Sequence, residues 1–201
     1  MSETQVVIID TGIANTASVC AAFERLGCAV ALTRNAGSVR DASLVVLPGV
    51  GSFRAGMEAL HSAGLDEIII ERVHRDRPLL GICLGLQLLC AASEESPGVP
   101  GLGVIDASVT RFPKSVRTPQ HGWNRVGDGD ETAYAYYSNT YRIESIPRGW
   151  SGELSDHGGP FVACLRHGTT LACQFHPELS GAWGAALLAT WIQSAKEASP
   201  C

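Results

Sequence analysis

The chain lacks any cluster of lysine and arginine residues, and its formal net charge is −5. Because phosphate binding is driven largely by grouped basic side chains, this composition argues against nucleic acid as a partner. Long apolar runs are also missing. The longest uncharged stretches, 78–93 and 179–195, both contain glutamine and fall short of the ~20 apolar residues of a membrane span. We therefore expect neither a nucleic-acid nor a membrane partner.

No C-x-x-C pair occurs in the chain, and the cysteines have no zinc-type spacing. Their number is odd, and no secretory signal pattern precedes the first apolar run. Both facts argue against a disulfide framework and a zinc site. We expect a cytoplasmic protein without metal or other cofactor, whose thiols are mostly buried apolar groups. The seven cysteines are Cys20, Cys28, Cys83, Cys90, Cys164, Cys173 and Cys201.

What is present is an alternation of strand and helix patterns in the first half. Strands without polar alternation, separated by helices, indicate a parallel sheet covered on both faces. The predicted strands are 6–10, 28–33, 43–48 and 78–82, and the predicted helices are Asn15–Leu26 with Gly27 as the stop, 57–65, 68–75 and 84–92.

The second half changes to short alternating segments, which favour antiparallel sheet, with a hairpin turn at His167-Gly168 and a closing helix at 182–196. Residues 1–201 contain no linker or internal repeat, so we predict a single α/β domain. Its sheet should be open, mixed and largely parallel, flanked by helices, with an antiparallel portion in the second half. The predicted strands of that half are 103–112, 124–127, 133–138, 161–166 and 170–175.

Cys83 lies between Gly81 and Gly85, where an apolar strand passes into a helical pattern. A G-x-C-x-G frame at a strand-to-helix turn is a nucleophile elbow with cysteine in place of serine, and the glycines relieve steric conflict at a sharp turn. A thiol at a helix N-terminus favours the thiolate, and the N–H of Leu84 can face a developing oxyanion. A buried structural cysteine at a strand–helix junction is the alternative.

One histidine of six has a context that suits a general base. His176 ends a predicted strand before Pro177, and Glu178 follows at a spacing that lets its carboxylate orient the imidazole. By itself an H-x-E triplet is commonly a chance pattern on the surface. Together with a cysteine elbow at the end of a parallel strand, it favours a catalytic histidine with an orienting carboxylate.

The segment Pro48-Gly49-Val50-Gly51 follows another predicted strand at its carboxyl end, where open α/β sheets bind ligands. We expect Gly49 and Gly51 to adopt positive φ and to turn the peptide N–H around Val50 inward as a second oxyanion donor. An ordinary glycine turn is the alternative.

With these residues the sequence resembles the class I (triad) glutamine amidotransferases. GICLGLQLL matches their nucleophile segment, and QFHPE matches their His-Glu segment. The resemblance narrows to the glutaminase subunit of imidazole glycerol phosphate synthase, an enzyme of histidine biosynthesis, and covers Val6 to about Ile192. The further matching segments are 10–19, 47–53, 93–103, 119–126 and 136–141.

The resemblance implies that Cys83 attacks the side-chain amide of glutamine, that His176 transfers the protons and that Glu178 orients His176. It further implies that Leu84 and the loop of Gly49, Val50 and Gly51 hold the oxyanion. Ammonia then passes directly to a partner, a (β/α)₈-barrel cyclase that acts on a phosphoribosyl intermediate. Matched glutamine-pocket positions are Gln87, Asn139, Thr140 and Tyr141, and matched cyclase-facing positions are Asn15, Trp123 and Asn124.

Two positions depart from the family pattern. Leu179 stands where lysine or arginine commonly follows HPE, so an ion pair to the cyclase is lost there, which costs about 0–1 kcal/mol for an exposed pair. Asn139 replaces a frequent histidine, so that position cannot titrate. We also predict that cyclase ligand reorients the loop at Gly49, and that a β-branched residue there abolishes this activation without unfolding the chain.

Three alternatives remain open at the level of the sequence. The chain could supply ammonia to another synthase, such as that for anthranilate or pyridoxal phosphate, although the segments at 10–19 and 119–124 argue against this. It could be a non-catalytic binding subunit of the same fold, against which the complete set of Cys83, His176 and Glu178 argues. A metal or redox role for the cysteines is the third, and their spacing does not favour it.

Overall fold

The computed structural model describes residues 4–12, 15–127 and 133–198. Four strands of the first half form its parallel sheet: β1 (Thr4–Ile9), β2 (Cys28–Thr33), β3 (Leu44–Gly49) and β4 (Leu79–Cys83). β1 pairs with β2 and β3, and β3 pairs with β4, all in parallel. Strands β3 and β4 are buried along their whole length, as expected for continuous apolar runs covered on both faces.

Helices cover both faces of this sheet. On one face, α1 (Thr16–Arg25) and α6 (Gly181–Ala198) bury Phe23 and Trp191 against it. On the other face, α3 (Phe53–Ser62), α4 (Asp66–His74) and α5 (Leu84–Leu88) bury residues such as Leu60 and Ile69. A short helix, α2 (Ala36–Asp41), begins at an Asn35 side-chain cap. The predicted α/β fold, with a sheet flanked by helices, is confirmed.

The second half extends the sheet in antiparallel fashion. β10 (Ser151–Asp156), β11 (Pro160–His167) and β12 (Thr170–Cys173) form an antiparallel run whose last strand, β12, lies parallel beside β4. The seven-stranded order is β10-β11-β12-β4-β3-β1-β2. Because β12 lies parallel beside β4, the residues that follow β12 lie next to the residues that follow β4.

Two smaller sheets stand beside the central one. β5 (Cys90–Ser93), β6 (Ile105–Arg111) and β9 (Tyr141–Arg142) form a three-stranded sheet, and β7 (Gln120–Val126) and β8 (Ala133–Asn139) form an antiparallel ribbon. The alternating texture of the second half predicted such strands, although β5, β9 and β10 were not predicted individually. The predicted strand 124–127 is the end of the longer β7.

Some predicted boundaries were wrong, and one error has a clear cause. The helix predicted at 84–92 ends at Leu88 because the carbonyls of Leu88, Leu89 and Cys90 accept hydrogen bonds from residues 102–105 rather than from a next helical turn. α3 begins at Phe53, earlier than the predicted 57, and α2 was not predicted. The hairpin turn lies at 168–169, one residue later than expected, since His167 pairs with Thr170.

Candidate active site

Cys83 ends strand β4 and directly precedes helix α5. Its backbone has φ 54° and ψ −106°, a conformation that L-residues rarely adopt. Such strain persists only where the surrounding structure imposes it, and it is typical of functional turns. The sharp turn predicted from the G-x-C-x-G frame is therefore present in the fold.

The glycines of the frame are required by close backbone contacts. A Cβ atom on Gly85 would lie 2.0 Å from the carbonyl oxygen of Leu47 in β3. A Cβ atom on Gly81 would lie 3.2 Å from the backbone carbon of Gly85. Helix α5 thus packs directly on the backbones of β3 and β4, which only glycine permits.

His176 and Glu178 are brought to this turn by the second half of the chain. The carboxylate Oε1 of Glu178 lies 2.8 Å from Nδ1 of His176, and the two side chains are only 2% and 8% exposed, respectively. The backbone N–H of His176 donates to the backbone carbonyl of Tyr136 in β8 at 2.8 Å. Ser180, which the sequence did not single out, accepts from the Tyr136 N–H and donates to the His176 carbonyl. These bonds hold the short 3₁₀ turn 177–179 in place.

The charge state of His176 follows from its neighbours. Burial lowers the pKa of His176, but hydrogen bonds to Cys83 and Glu178 and the charges of both groups outweigh it and raise the pKa to about 10. The imidazolium is thus favoured by a partner on each side of the ring. This arrangement suits a base that has taken the thiol proton and can pass it to a leaving group.

A buried amide network contacts the thiol from the other side. Nε2 of Gln174 lies 3.8 Å from Sγ of Cys83, and Oε1 of Gln174 accepts from Nε2 of Gln87 at 3.0 Å. Gln87 also donates to the carbonyl of Tyr141 at 3.2 Å. Sequence reasoning gave Gln174 no role. A polar residue at the end of an otherwise apolar strand is the signal that could have indicated it.

Cys83 opens into a cavity of about 200 Å³. The structure places in its wall most of the residues that the sequence predicted for the oxyanion and glutamine sites. Three further lining residues, Glu95, Pro119 and Ser138, were missed. Glu95 is the only charged side chain among the described residues of the wall. The predicted residues in the wall are Val50, Gly51, Leu84, Gln87, Asn139, Thr140 and Tyr141.

Positive φ was predicted for two glycines of the loop, and only one of them has it. Gly51 has φ 98°, as expected, but Gly49 does not have positive φ and lies in β3 opposite Cys83. Gly49 is required for a different reason, because a Cβ atom there would lie 2.8 Å from Cβ of Leu84. A β-branched residue at Gly49 would therefore displace the start of α5 and destabilise the fold, which the sequence-based expectation of intact folding did not include.

The three predicted partner-facing residues lie outside this cavity. Asn15 is exposed at the start of α1, and Trp123 is 58% exposed on the β7–β8 ribbon. Asn124 is half-buried and bonds the carbonyl of Asp156 at 2.8 Å. Leu179, the family departure, is also exposed, at 38%. The geometry leaves Trp123 and Leu179 as large apolar groups available to another surface.

Within residues 4–12, 15–127 and 133–198 no helix is long and apolar enough to cross a membrane. Over the same ranges, no group of three or more His, Cys, Asp or Glu side chains is arranged to hold a metal ion.

Comparison with known proteins agrees with the fold. The profile of the family described as "Glutamine amidotransferase class-I" matches residues 7–193. A solved structure titled "Crystal structure of glutamine amidotransferase" superposes with a TM-score of 0.78 at 21% identity and covers 94% of this chain and 98% of that one. The chain belongs to the class-I glutamine amidotransferase family and is an enzyme of that type.

Within that family the chain is similar to proteins named "Imidazole glycerol phosphate synthase subunit HisH". It is 41% identical over 198 residues to that of Deinococcus radiodurans, covering 93% of this chain and 92% of the relative. It is 38% identical over 196 residues to that of Symbiobacterium thermophilum, with the same coverage of 93% and 92%. The chain also matches, at 35% identity over 95% of its length, a third (34%) of the Arabidopsis thaliana protein "Imidazole glycerol phosphate synthase hisHF, chloroplastic".

Proposed function

We propose that the chain is the glutaminase subunit of an imidazole glycerol phosphate synthase and hydrolyses glutamine to glutamate and ammonia. The observation that carries this proposal is the 2.8 Å contact of Glu178 with the buried His176, whose ring also hydrogen-bonds Cys83, the strained cysteine that opens into the cavity. A buried, oriented imidazole next to a thiol at a helix N-terminus is the arrangement of a cysteine nucleophile.

In the proposed reaction, the Cys83 thiolate attacks the carbonyl carbon of the glutamine side-chain amide. The negative oxygen of the tetrahedral intermediate is stabilised by the N–H of Leu84 and by the loop of Gly49, Val50 and Gly51. The imidazolium of His176 donates its proton as the C–N bond breaks, and ammonia leaves. His176 then removes a proton from water, which attacks the γ-glutamyl thioester and releases glutamate and the thiol.

The cavity supports an amino-acid substrate. Glu95 supplies a carboxylate that can pair with the α-ammonium group of glutamine. Gln87, Asn139, Thr140 and Tyr141 surround the remaining polar atoms as candidate substrate-binding residues. Nδ2 of Asn139 donates to the carbonyl of Tyr141 at 3.0 Å, so the amide of Asn139 has a defined orientation toward the wall.

We further propose a heterodimer with a (β/α)₈-barrel cyclase subunit, which takes up the ammonia. At neutral pH, ammonia released into water is mostly ammonium, which is a poor nucleophile, so direct transfer is needed. Exposed Trp123 and Leu179, together with Asn15 and Asn124, are the candidate contacts. That the matched region is only a third of the longer Arabidopsis chain agrees with a function linked to a second unit.

We also propose that residues 1–201 act as one domain in the cytoplasm. The family match over residues 7–193 supports a single unit. The free thiols of Cys20, Cys83, Cys90, Cys164 and Cys173 agree with a reducing compartment.

Glutamate release from glutamine tests the proposal, measured for the chain alone and then with a cyclase subunit and its phosphoribosyl ligand. We expect a low basal rate that rises strongly with the loaded cyclase. Cys83→Ala should lower the rate by about 10⁴-fold or more, since nucleophile removal has effects of this size. Cys20→Ala, on the half-buried thiol of α1, is the matched control and should keep full activity.

The outcomes separate the alternatives. Absence of glutamate release in every condition would contradict the glutaminase assignment. Glutamate release that the loaded cyclase does not stimulate, with Cys83 still labelled by a glutamine-like electrophile, would keep the chemistry and point to another synthase.

A further inference from the structure

Side chains cap the first three N–H groups of helix α3. The N–H of Phe53 donates to Oε2 of Glu95 at 2.6 Å, and the N–H of Arg54 donates to Oγ of Ser96 at 3.2 Å. The N–H of Ala55 donates to Oγ of Ser52 at 3.3 Å. Only Ser52 is the usual local cap, because Glu95 and Ser96 lie more than forty residues along the chain. Two of the three caps are therefore tertiary contacts.

The turn that carries Glu95 and Ser96 is itself held firmly. Its residues follow strand β5, and the N–H of Glu94 donates to the carbonyl of Val109 in β6 at 2.9 Å. The N–H of Glu95 donates to Oγ of Ser93 at 3.2 Å. Ser93 and Ser96 are both 5% exposed. Residues 93–96, which begin with the last residue of β5 and which we name the clamp turn, thus connect the sheet of β5 and β6 to the start of α3.

The start of α3 is one of two anchors of the proposed oxyanion loop. On one side, Gly49 pairs with Cys83 in the parallel sheet. On the other side, Gly51 leads through Ser52 into Phe53, the first residue of α3. Between the anchors, Val50 is 37% exposed and Gly51 has φ 98°. A short, exposed segment with a glycine backbone has little packing of its own, so its geometry depends on where its two ends are held.

We propose that Glu95 and Ser96 are positioning residues for the oxyanion loop, and that Glu95 links this loop to substrate binding. One oxygen of Glu95 holds the N–H of Phe53, while Glu95 also lines the cavity that contains Val50 and Cys83. A substrate ammonium group that pairs with this carboxylate therefore contacts the same side chain that fixes the end of the loop. This inference rests on the proposed glutaminase function.

Two variants of Glu95 separate the effect of its charge from the effect of its side-chain length. Glu95→Gln keeps an oxygen acceptor for the Phe53 N–H but loses the charge, so we expect KM for glutamine to rise about ten-fold or more while kcat stays within about three-fold. Glu95→Asp keeps the charge but shortens the side chain away from the Phe53 N–H. We expect kcat to fall about ten-fold with a smaller rise in KM, because part of the oxyanion stabilisation is lost.

Ser96→Ala tests the contact between the clamp turn and α3 without changing a residue that lines the cavity. Among the described residues, Ser96 is buried and is not in the cavity wall. We expect kcat to fall several-fold with KM unchanged. Asn35→Ala removes a comparable helix cap, the bond from the Ser38 N–H to Oδ1 of Asn35 at 2.9 Å, at α2. This control should leave kcat and KM unchanged, and thermal melting of each variant checks that it is folded.

The result that overturns the inference is a kcat for both Glu95→Asp and Ser96→Ala equal to that of Asn35→Ala, in chains that melt cooperatively and still hydrolyse glutamine. If Ser96→Ala fails to fold, the opposite KM and kcat patterns of Glu95→Gln and Glu95→Asp decide the matter alone. Failure of the proposed function looks different, since the unmodified chain would then release no glutamate with or without cyclase.

Discussion

The two halves of the site are built in different ways. Cys83 is positioned by residues 79–88, a strand, a glycine-framed turn and a short helix that are consecutive in the chain. His176 is positioned by contacts with distant residues, because β12 lies beside β4 and the His176 N–H bonds the carbonyl of Tyr136. The difference shows that the nucleophile lies in one continuous segment that packs on β3, while its base is positioned by segments that are far apart in the chain.

A buried amide pair joins the two halves. Gln87 lies on α5 near the nucleophile, and Gln174 directly follows β12, two residues before the base. Their hydrogen bond at 3.0 Å, and the 3.8 Å contact of Gln174 with Cys83, cross the boundary between the local and the assembled part. Changes at either half, or at this junction, should therefore have different consequences.

The largest effect is expected at the local half. Gly85→Ala places a Cβ atom 2.0 Å from the carbonyl oxygen of Leu47, so α5 must move away from β3. We expect a loss of about 1–3 kcal/mol or more in the free energy of unfolding, measured by urea denaturation. Gly37→Ala in α2 is the matched control, and its Cβ atom would lie 3.2 Å from Oδ1 of the Asn35 side chain, so we expect only a small change in stability. Equal stability of the two variants would contradict the tight packing.

The second prediction concerns the charge of the assembled half. The pKa of His176 is raised to about 10 in the folded chain, against about 6.5 for an unperturbed histidine. A folded-state pKa above the unfolded value contributes stability that is complete below about pH 6.5 and is lost as the pH rises through about 10. Glu178→Gln removes one of the groups that raise this pKa, so it should weaken the loss of stability between these pH values.

Urea denaturation of the unmodified chain and of Glu178→Gln from pH 6.5 to 10 measures how strongly the free energy of unfolding of each depends on pH. For one proton, that free energy cannot change by more than about 1.4 kcal/mol per pH unit. Glu58→Gln, on an exposed side chain of α3, should keep the pH profile of the unmodified chain. A Glu178→Gln profile that superposes on that control would refute the coupling.

The third prediction concerns the hydrogen-bonded pair Gln87 and Gln174, which joins the two halves. Gln174→Met removes the amide of a fully buried side chain and leaves Gln87 without one of its partners. We expect kcat for glutamine hydrolysis to fall about ten-fold, since an amide at the thiol is lost and a buried donor loses a bond. Gln193→Met, on the exposed face of α6, is the matched control and should keep its rate. Unchanged kcat in Gln174→Met would show that the junction is dispensable.

The smallest effect on the chain alone is expected outside both halves. Trp123→Ala on the β7–β8 ribbon should change the free energy of unfolding by less than about 0.5 kcal/mol, because the side chain is 58% exposed. If the proposed cyclase interface is right, its Kd should rise about ten-fold or more, as for an aromatic anchor. Tyr134→Ala, 53% exposed on the same face of the ribbon, controls for loss of an aromatic group. Equal Kd values for both variants would argue against Trp123 as a contact.

The fold was predictable wherever the apolar pattern is strong. Each parallel strand of the first half was predicted within a few residues, because buried strands need continuous apolar runs. The end of α5 was not predictable, since Leu88 and its neighbours give their carbonyls to a loop far along the chain. Among the site residues, Glu95 and Gln174 were missed because their partners, Phe53 and Cys83, lie 42 and 91 residues away, respectively.

By itself, the sequence determined the α/β fold class, the strained cysteine turn and the candidate triad, since each depends on residue types at short, fixed spacing. Only the tertiary structure decided why Gly49 must be glycine, that Gln174 contacts the thiol, and that Glu95 serves both the cavity and the start of α3. Those facts depend on which distant segments the sheet brings within hydrogen-bonding or van der Waals distance, and residue order along the chain does not specify such distances.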